Sequence, residues 1–183
     1  MRILLAAAIA ALISLPASAA TWTVVPEKSR LGFSVTWSGQ PFVATFKTWK
    51  AEIAFDPADL GHAKAVVLID LASETSDSAD NDDGLKSPEG LSVDQFPTAK
   101  FETTGFTARG GNAYVANGRL TMHGMTRNVT LPFTLTISGR TAHMVGRTTV
   151  SRLDFGLGTT GEWAGETPIA HAVTITVDLT ATR

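Results

Sequence analysis

The chain has no cysteine among its 183 residues, and only 17% of them are charged. That removes a disulfide framework, a thiolate nucleophile and a soft metal site together. Stability must come from a hydrophobic core. No apolar run is long enough to cross about 30 Å of hydrocarbon. The longest, Ile3 to Leu15, follows Arg2 and precedes Ala17-Ser18-Ala19, which is the anatomy of a secretory signal peptide over residues 1–19. The expected mature chain, residues 20–183, is a single domain of 164 residues with 14 basic and 17 acidic side chains. A net charge of −3 has the wrong sign and size for a nucleic-acid binder.

Catalytic signatures are equally scarce. There is no Gly-x-Ser-x-Gly elbow to present a serine nucleophile. His62, His123, His143 and His171 lie far apart, without a His-x-His or His-Glu-x-x-His spacing. Asp77, Asp80, Asp82 and Asp83 invite a calcium loop. With Gly84 as its turn glycine, however, the first and last ligand positions fall on Ala79 and Gly90, so a solvated acidic loop is the better reading. The expectation is no catalytic residue, no metal site and no resident cofactor.

Period-two alternation is what the chain does have. Val129, Leu131, Phe133, Leu135 and Ile137 face one way, and Thr130, Pro132, Thr134 and Thr136 the other. The preceding segment ends on His123-Gly124, which reads as the turn of a β-hairpin. Further strands are expected over Trp22–Val25, Ser29–Ser38, Phe42–Phe55, Lys64–Leu71, Ala99–Ala108, Ala113–Met122, Thr141–Leu153 and Ile169–Thr180. Lys64–Leu71 is apolar on both faces in part, which suggests a cover on its outside. Residues 72–98 break the rhythm with Ser, Asp, Pro and Gly around Leu85, Leu91, Val93 and Phe96, and read as a lid-like crossover with short helical turns. No amphipathic helix is long enough to cover the apolar sheet face, so the sheet must close on itself or pack on a second one. The expected fold is all-β and antiparallel, a barrel or a sandwich of about eight strands. Its inward face is lined by large aromatics, with either a solid core or a ligand cavity between them.

Gly118-Arg119-Leu120-Thr121-Met122-His123-Gly124-Met125-Thr126-Arg127-Asn128-Val129-Thr130-Leu131 resembles the signature of the YceI-like family. So do Gln95-Phe96-Pro97-Thr98-Ala99-Lys100-Phe101, Arg152-Leu153-Asp154-Phe155-Gly156 and the late Val173-Thr174-Ile175. Asn81, Gly84 and Gly90-Leu91 depart from the family pattern around the crossover. The resemblance implies a lipocalin-like barrel, periplasmic after export, that binds a polyisoprenoid or isoprenoid quinone without catalysis. It also implies a ligand wall of Phe33, Val35, Trp37, Trp49, Ile69, Phe101, Leu120, Met122, Phe133, Leu135 and Phe155, with Leu85, Phe96 and Trp163 at the mouth. Ordinary core packing is the competing role for each. Arg119, Arg127 and Arg152 could meet a head group, but read better as surface or strand-pairing charges. The chain is similar to variants found beside cytochrome b561-type membrane proteins, so an accessory docking role or an envelope stress role is the alternative. A homodimer is left open.

Overall fold

The computed structural model describes residues 19–183; the expected signal peptide lies outside them except for Ala19. Eleven strands form one sheet: β1 (Thr21–Val24), β2 (Arg30–Trp37), β3 (Gln40–Phe46), β4 (Trp49–Ala54), β5 (Lys64–Asp70), β6 (Glu74–Thr75), β7 (Thr98–Gly110), β8 (Ala113–Met122), β9 (Met125–Ser138), β10 (Thr141–Ser151) and β11 (Ile169–Thr182). Eleven segments make eight runs, because three runs are interrupted. β2 pairs β3 while β1 pairs β4, and β4 pairs β5 while β3 pairs β6, so β1+β2, β3+β4 and β5+β6 are each one broken strand. From there the meander runs β5–β7–β8–β9–β10–β11, and β11 returns to pair both β2 and β1. Every pairing is antiparallel, and the barrel closes, which leaves few free edges.

The expected long strand Phe42–Phe55 breaks at Lys47-Thr48. Lys47 donates its backbone N–H to Ser73 O and Thr48 its own to Ser73 Oγ, so both amides leave the ladder for the neighbouring run. The hairpin between β8 and β9 turns on His123 and Gly124, both at positive φ (51° and 70°), the requirement of a type I′ turn. Among the described residues nothing covers β5 as expected: Leu68 is 44% exposed on the outer wall. Its β-branched neighbours give the strand its propensity without a second layer.

The crossover from β6 to β7 carries one helix, α1 (Ala79–Lys86). Asp82 on its first turn accepts bonds from Thr75 Oγ1 at 2.8 Å, Ser76 N at 2.7 Å and Ser76 Oγ at 2.6 Å. These bonds, the Ser76 hydroxyl first, hold its pKa below the ordinary aspartate value. One carboxylate of the acidic run thus clasps helix to strand. Among the described residues no three acidic or imidazole groups converge as a metal set. Leu85 and Leu91 are buried and turn this crossover down onto the upper end of the barrel.

Candidate functional site

Inward-facing positions of a barrel either fill its lumen or line a hollow. Here they line two apolar cavities along the barrel. The lower one, about 170 Å³, is walled by residues of β1, β2, β4, β5 and β7–β11, with Thr103 and Thr148 as its only hydroxyl-bearing walls. The upper one, about 120 Å³, lies under the crossover and the 152–168 loop, with Arg152 as its only charged wall. Leu31, Ile69, Leu120 and Ile175 belong to both, so a ring of four aliphatic side chains forms a waist between them. Such space stays dry without an apolar guest.

Aromatic rings close both ends. Below, Phe55 meets Phe106, Tyr114 and Phe133 edge-on at centroid distances of 5.1, 5.6 and 6.3 Å. Trp22 Nε1 donates to Phe55 O at 2.9 Å, which satisfies the one polar atom of that ring. Above, Trp163 packs edge-on against Trp37 at 6.0 Å, while Trp37 and Phe42 at 5.4 Å and Phe33 and Phe46 at 5.8 Å are tilted pairs.

Trp49, Phe101, Phe133 and Leu135 line the lower cavity; Phe33, Val35, Trp37, Leu85, Met122 and Trp163 line the upper; Ile69 and Leu120 line both. One expected wall residue and one expected mouth residue lie elsewhere. Phe155 is 1% exposed and packs beneath the sheet against Leu120 and Val129, tucked there by the 3₁₀ turn Arg152–Phe155. Phe96 stacks on the His123 ring at 4.5 Å, and its edge lies over Gly124 at the β8–β9 turn. Sequence reasoning missed the contributions of Trp22, Leu31, Ile53, Phe106, Ile175 and Val177 to the walls. Ile175 and Val177 were legible in the alternation of the last strand, and Ile53 in that of the fourth.

Arg152 is a larger correction. It is 5% exposed, neither a surface nor a strand-pairing charge. Its guanidinium donates to six backbone carbonyls: Ala170 from Nε, Leu157 and Gly158 from Nη1, and Trp163, Gly165 and Ile169 from Nη2, at 2.6–3.2 Å. Burial lowers its pKa from the ordinary arginine value. Every donor is committed to carbonyls of the loop or of the first residues of β11, so this cation shapes the upper wall rather than reaching into it. Arg119 does pair across strands, with Glu102 at 3.5 Å, and Arg127 is exposed beside Thr126 O.

Glu74 is the other buried ion. It is 1% exposed, and neither carboxylate oxygen has a hydrogen-bond partner among the described residues. Burial first, then the nearby Asp82 charge, push its pKa up to about 7 against the opposing pull of Lys86.

Residues 22–181 match the YceI-like domain model. The chain belongs to that family. Among its relatives, a UPF0312 protein of Vibrio cholerae is 26% identical across 85% of this chain and 88% of its own length. A UPF0312 protein of Shewanella denitrificans is 31% identical across 68% and 69%. The crystal structure of Burkholderia cenocepacia BcnA superposes with a TM-score of 0.83 at 30% identity, covering 87% of this chain and 99% of that one. A polyisoprenoid-binding domain from Saccharophagus degradans, implicated in plant cell wall breakdown, gives 0.69 at 13% identity, covering 88% and 97%. At that identity it shows a common barrel. This YceI-like chain therefore shares its fold with a domain that binds polyisoprenoids.

Proposed function

We propose that this YceI-like protein is an exported, non-catalytic carrier that holds an isoprenoid lipid or quinone in its barrel, working in the periplasm once residues 1–19 are removed. The observation that carries the reading is the pair of in-line cavities with a waist between them and almost no polar wall. A linear, methyl-branched hydrocarbon fits that shape, and a compact polar metabolite would forfeit its hydrogen bonds there. Each CH₂ transferred from water to the lumen contributes about 0.8 kcal/mol before the cost of ordering the chain. Residues of the reaction-bearing kinds support the same reading. His62 and His143 bond to Asp59 and Asp178 on the outside, at 2.7 and 2.8 Å, away from both cavities.

Lipid extraction of protein purified from a bacterial periplasm, followed by mass spectrometry, tests the idea. A stoichiometric isoprenoid is expected. Protein that is recovered empty, and that then fails to take up geranylgeraniol after delipidation, would exclude a carrier.

A further inference from the structure

The crossover that roofs the upper cavity is weakly held. Its helix α1 is eight residues long, has no side-chain bond at its Ser78 cap and carries Gly84 in its interior. Leu85 is the one buried residue of that helix. The polar tie to the wall is the Asp82 carboxylate, which accepts from Thr75 on β6 and from Ser76 just beyond it. Leu85, Gly90 and Leu91 of the crossover line the upper cavity, so lifting α1 uncovers that cavity.

Glu74 sits beside that tie. It pairs directly with Phe46 of β3, and opposed residues of a ladder project from one face of the sheet. Phe46 lines the upper cavity, so the Glu74 side chain is turned to the same interior. There it is 1% exposed, and no donor reaches either carboxylate oxygen among the described residues. The charged groups that act on it both come from α1. Asp82 opposes its ionisation; Lys86 favours it, yet makes no ion pair with it among the described residues. Neither β3 nor the 3₁₀ turn Leu71–Ser73 contains a titratable residue, and Lys47 and Asp70 at their ends are exposed. A bare carboxylate in such a place is costly until water reaches it, and the movable piece of its surroundings is the helix.

We propose that α1 is a proton-controlled lid, seated over the upper cavity while Glu74 is protonated and lifted to admit water once Glu74 ionises. The device concerns access to the cavity and depends on no particular guest. With the lid seated the Glu74 pKa is about 7, and with water admitted it returns toward the ordinary 4.5. The seated form therefore holds the proton more tightly. It is favoured most below pH 4.5 and loses ground as pH rises to about 7, above which the balance levels off. Between pH 5 and pH 8 the ratio of lifted to seated lid should rise roughly fiftyfold.

Hydrogen exchange of the delipidated chain from pH 5 to pH 8, corrected for intrinsic exchange rates, reads the lid. Protection across residues 79–86 should fall by about that factor, and dilute urea should barely change it, since lifting one helix exposes little surface. β8 and β9 should stay better protected at every pH. Glu74→Gln has no proton to lose and should keep the wild-type pH 5 protection throughout. Access itself is read by stopped-flow uptake of N-phenyl-1-naphthylamine, an uncharged probe that brightens in apolar surroundings. Wild type should take it up about tenfold faster or more at pH 8 than at pH 5, and Glu74→Gln at one rate. A flat wild-type exchange profile, a fall that persists in Glu74→Gln, or a loss that β8 and β9 share and urea steepens overturns the lid. So does probe uptake equal at both pH values. Each of these results leaves the carrier reading in place.

Discussion

Arg152 shows what a buried cation does without an ion-pair partner among the described residues. Six carbonyls solvate it, and in return it gathers Leu157, Gly158, Trp163 and Gly165 into one loop above the upper cavity. Replacing it with methionine keeps the apolar stem and strands those carbonyls. Arg152→Met should cost about 3 kcal/mol or more in urea unfolding, and should shift Trp163 emission to the red as the loop lifts. Glu74 makes the opposite case, a buried acid with no hydrogen-bond donor among the described residues. Its folded pKa of about 7 lies above the ordinary 4.5, so the folded chain holds a proton that the unfolded chain has released between those values. Stability is therefore highest below pH 4.5 as far as this group is concerned, and falls as pH rises to about 7. The fall is at most about 3 kcal/mol, at 1.36 kcal/mol per pKa unit. Glu74→Gln should flatten that slope and stabilise the protein at pH 8 but not at pH 4, as measured by denaturant midpoints. A wild-type curve with no decline from pH 5 to 8 would refute the assignment.

At the scale of elements, the interrupted strands and the crossover matter most. Each interruption lets a run serve two neighbours at different heights, as when β11 pairs β2 along residues 169–178 and β1 at Ala181 and Thr182. The break at Lys47-Thr48 shifts the parity: Phe42 and Phe46 face inward at even positions, and Trp49, Ile53 and Phe55 at odd ones, so the interruption left a trace in the alternation. The crossover is short of apolar anchors and is tied to the sheet chiefly by Leu85, Leu91 and the Asp82 clasp. Asp82→Ala should speed amide exchange across residues 79–86 while leaving β8 and β9 protected. Unchanged exchange in α1 would show that the buried leucines suffice. Gly118 is placed by packing too: a Cβ there would lie 2.6 Å from Phe101 Cζ, so Gly118→Val should drive the Phe101 ring into the lower cavity and impair binding.

For the whole molecule, the lumen is two cavities that share a waist at Leu31, Ile69, Leu120 and Ile175. Leu120→Trp should plug that ring. The expected result is at least a tenfold loss for isoprenoids long enough to occupy both cavities, and little change for a chain that needs only one. Calorimetry over a series from farnesol to longer polyprenols reads the cutoff; equal losses at every length would place the guest elsewhere. Because the empty cavities are apolar, a bound guest should also raise the melting temperature. At 100 times the dissociation constant the gain is about 2.7 kcal/mol.

The sequence by itself determined the class of architecture. Period-two alternation on either side of residues 72–98, the turn at His123-Gly124 and the lack of any long amphipathic helix leave an antiparallel sheet to close on itself or pack on a second one, and the family resemblance points to the barrel. Twelve of the fourteen expected wall or mouth side chains lie on the cavities, since the parity of a strand fixes which face each residue takes. Whether those faces meet across filled or empty space was decided only in three dimensions, because packing depends on how rings from distant strands interlock. The same holds for Arg152 and Glu74. Their surroundings come from loops and ladders far apart in the chain, and no local pattern records what a side chain is buried against.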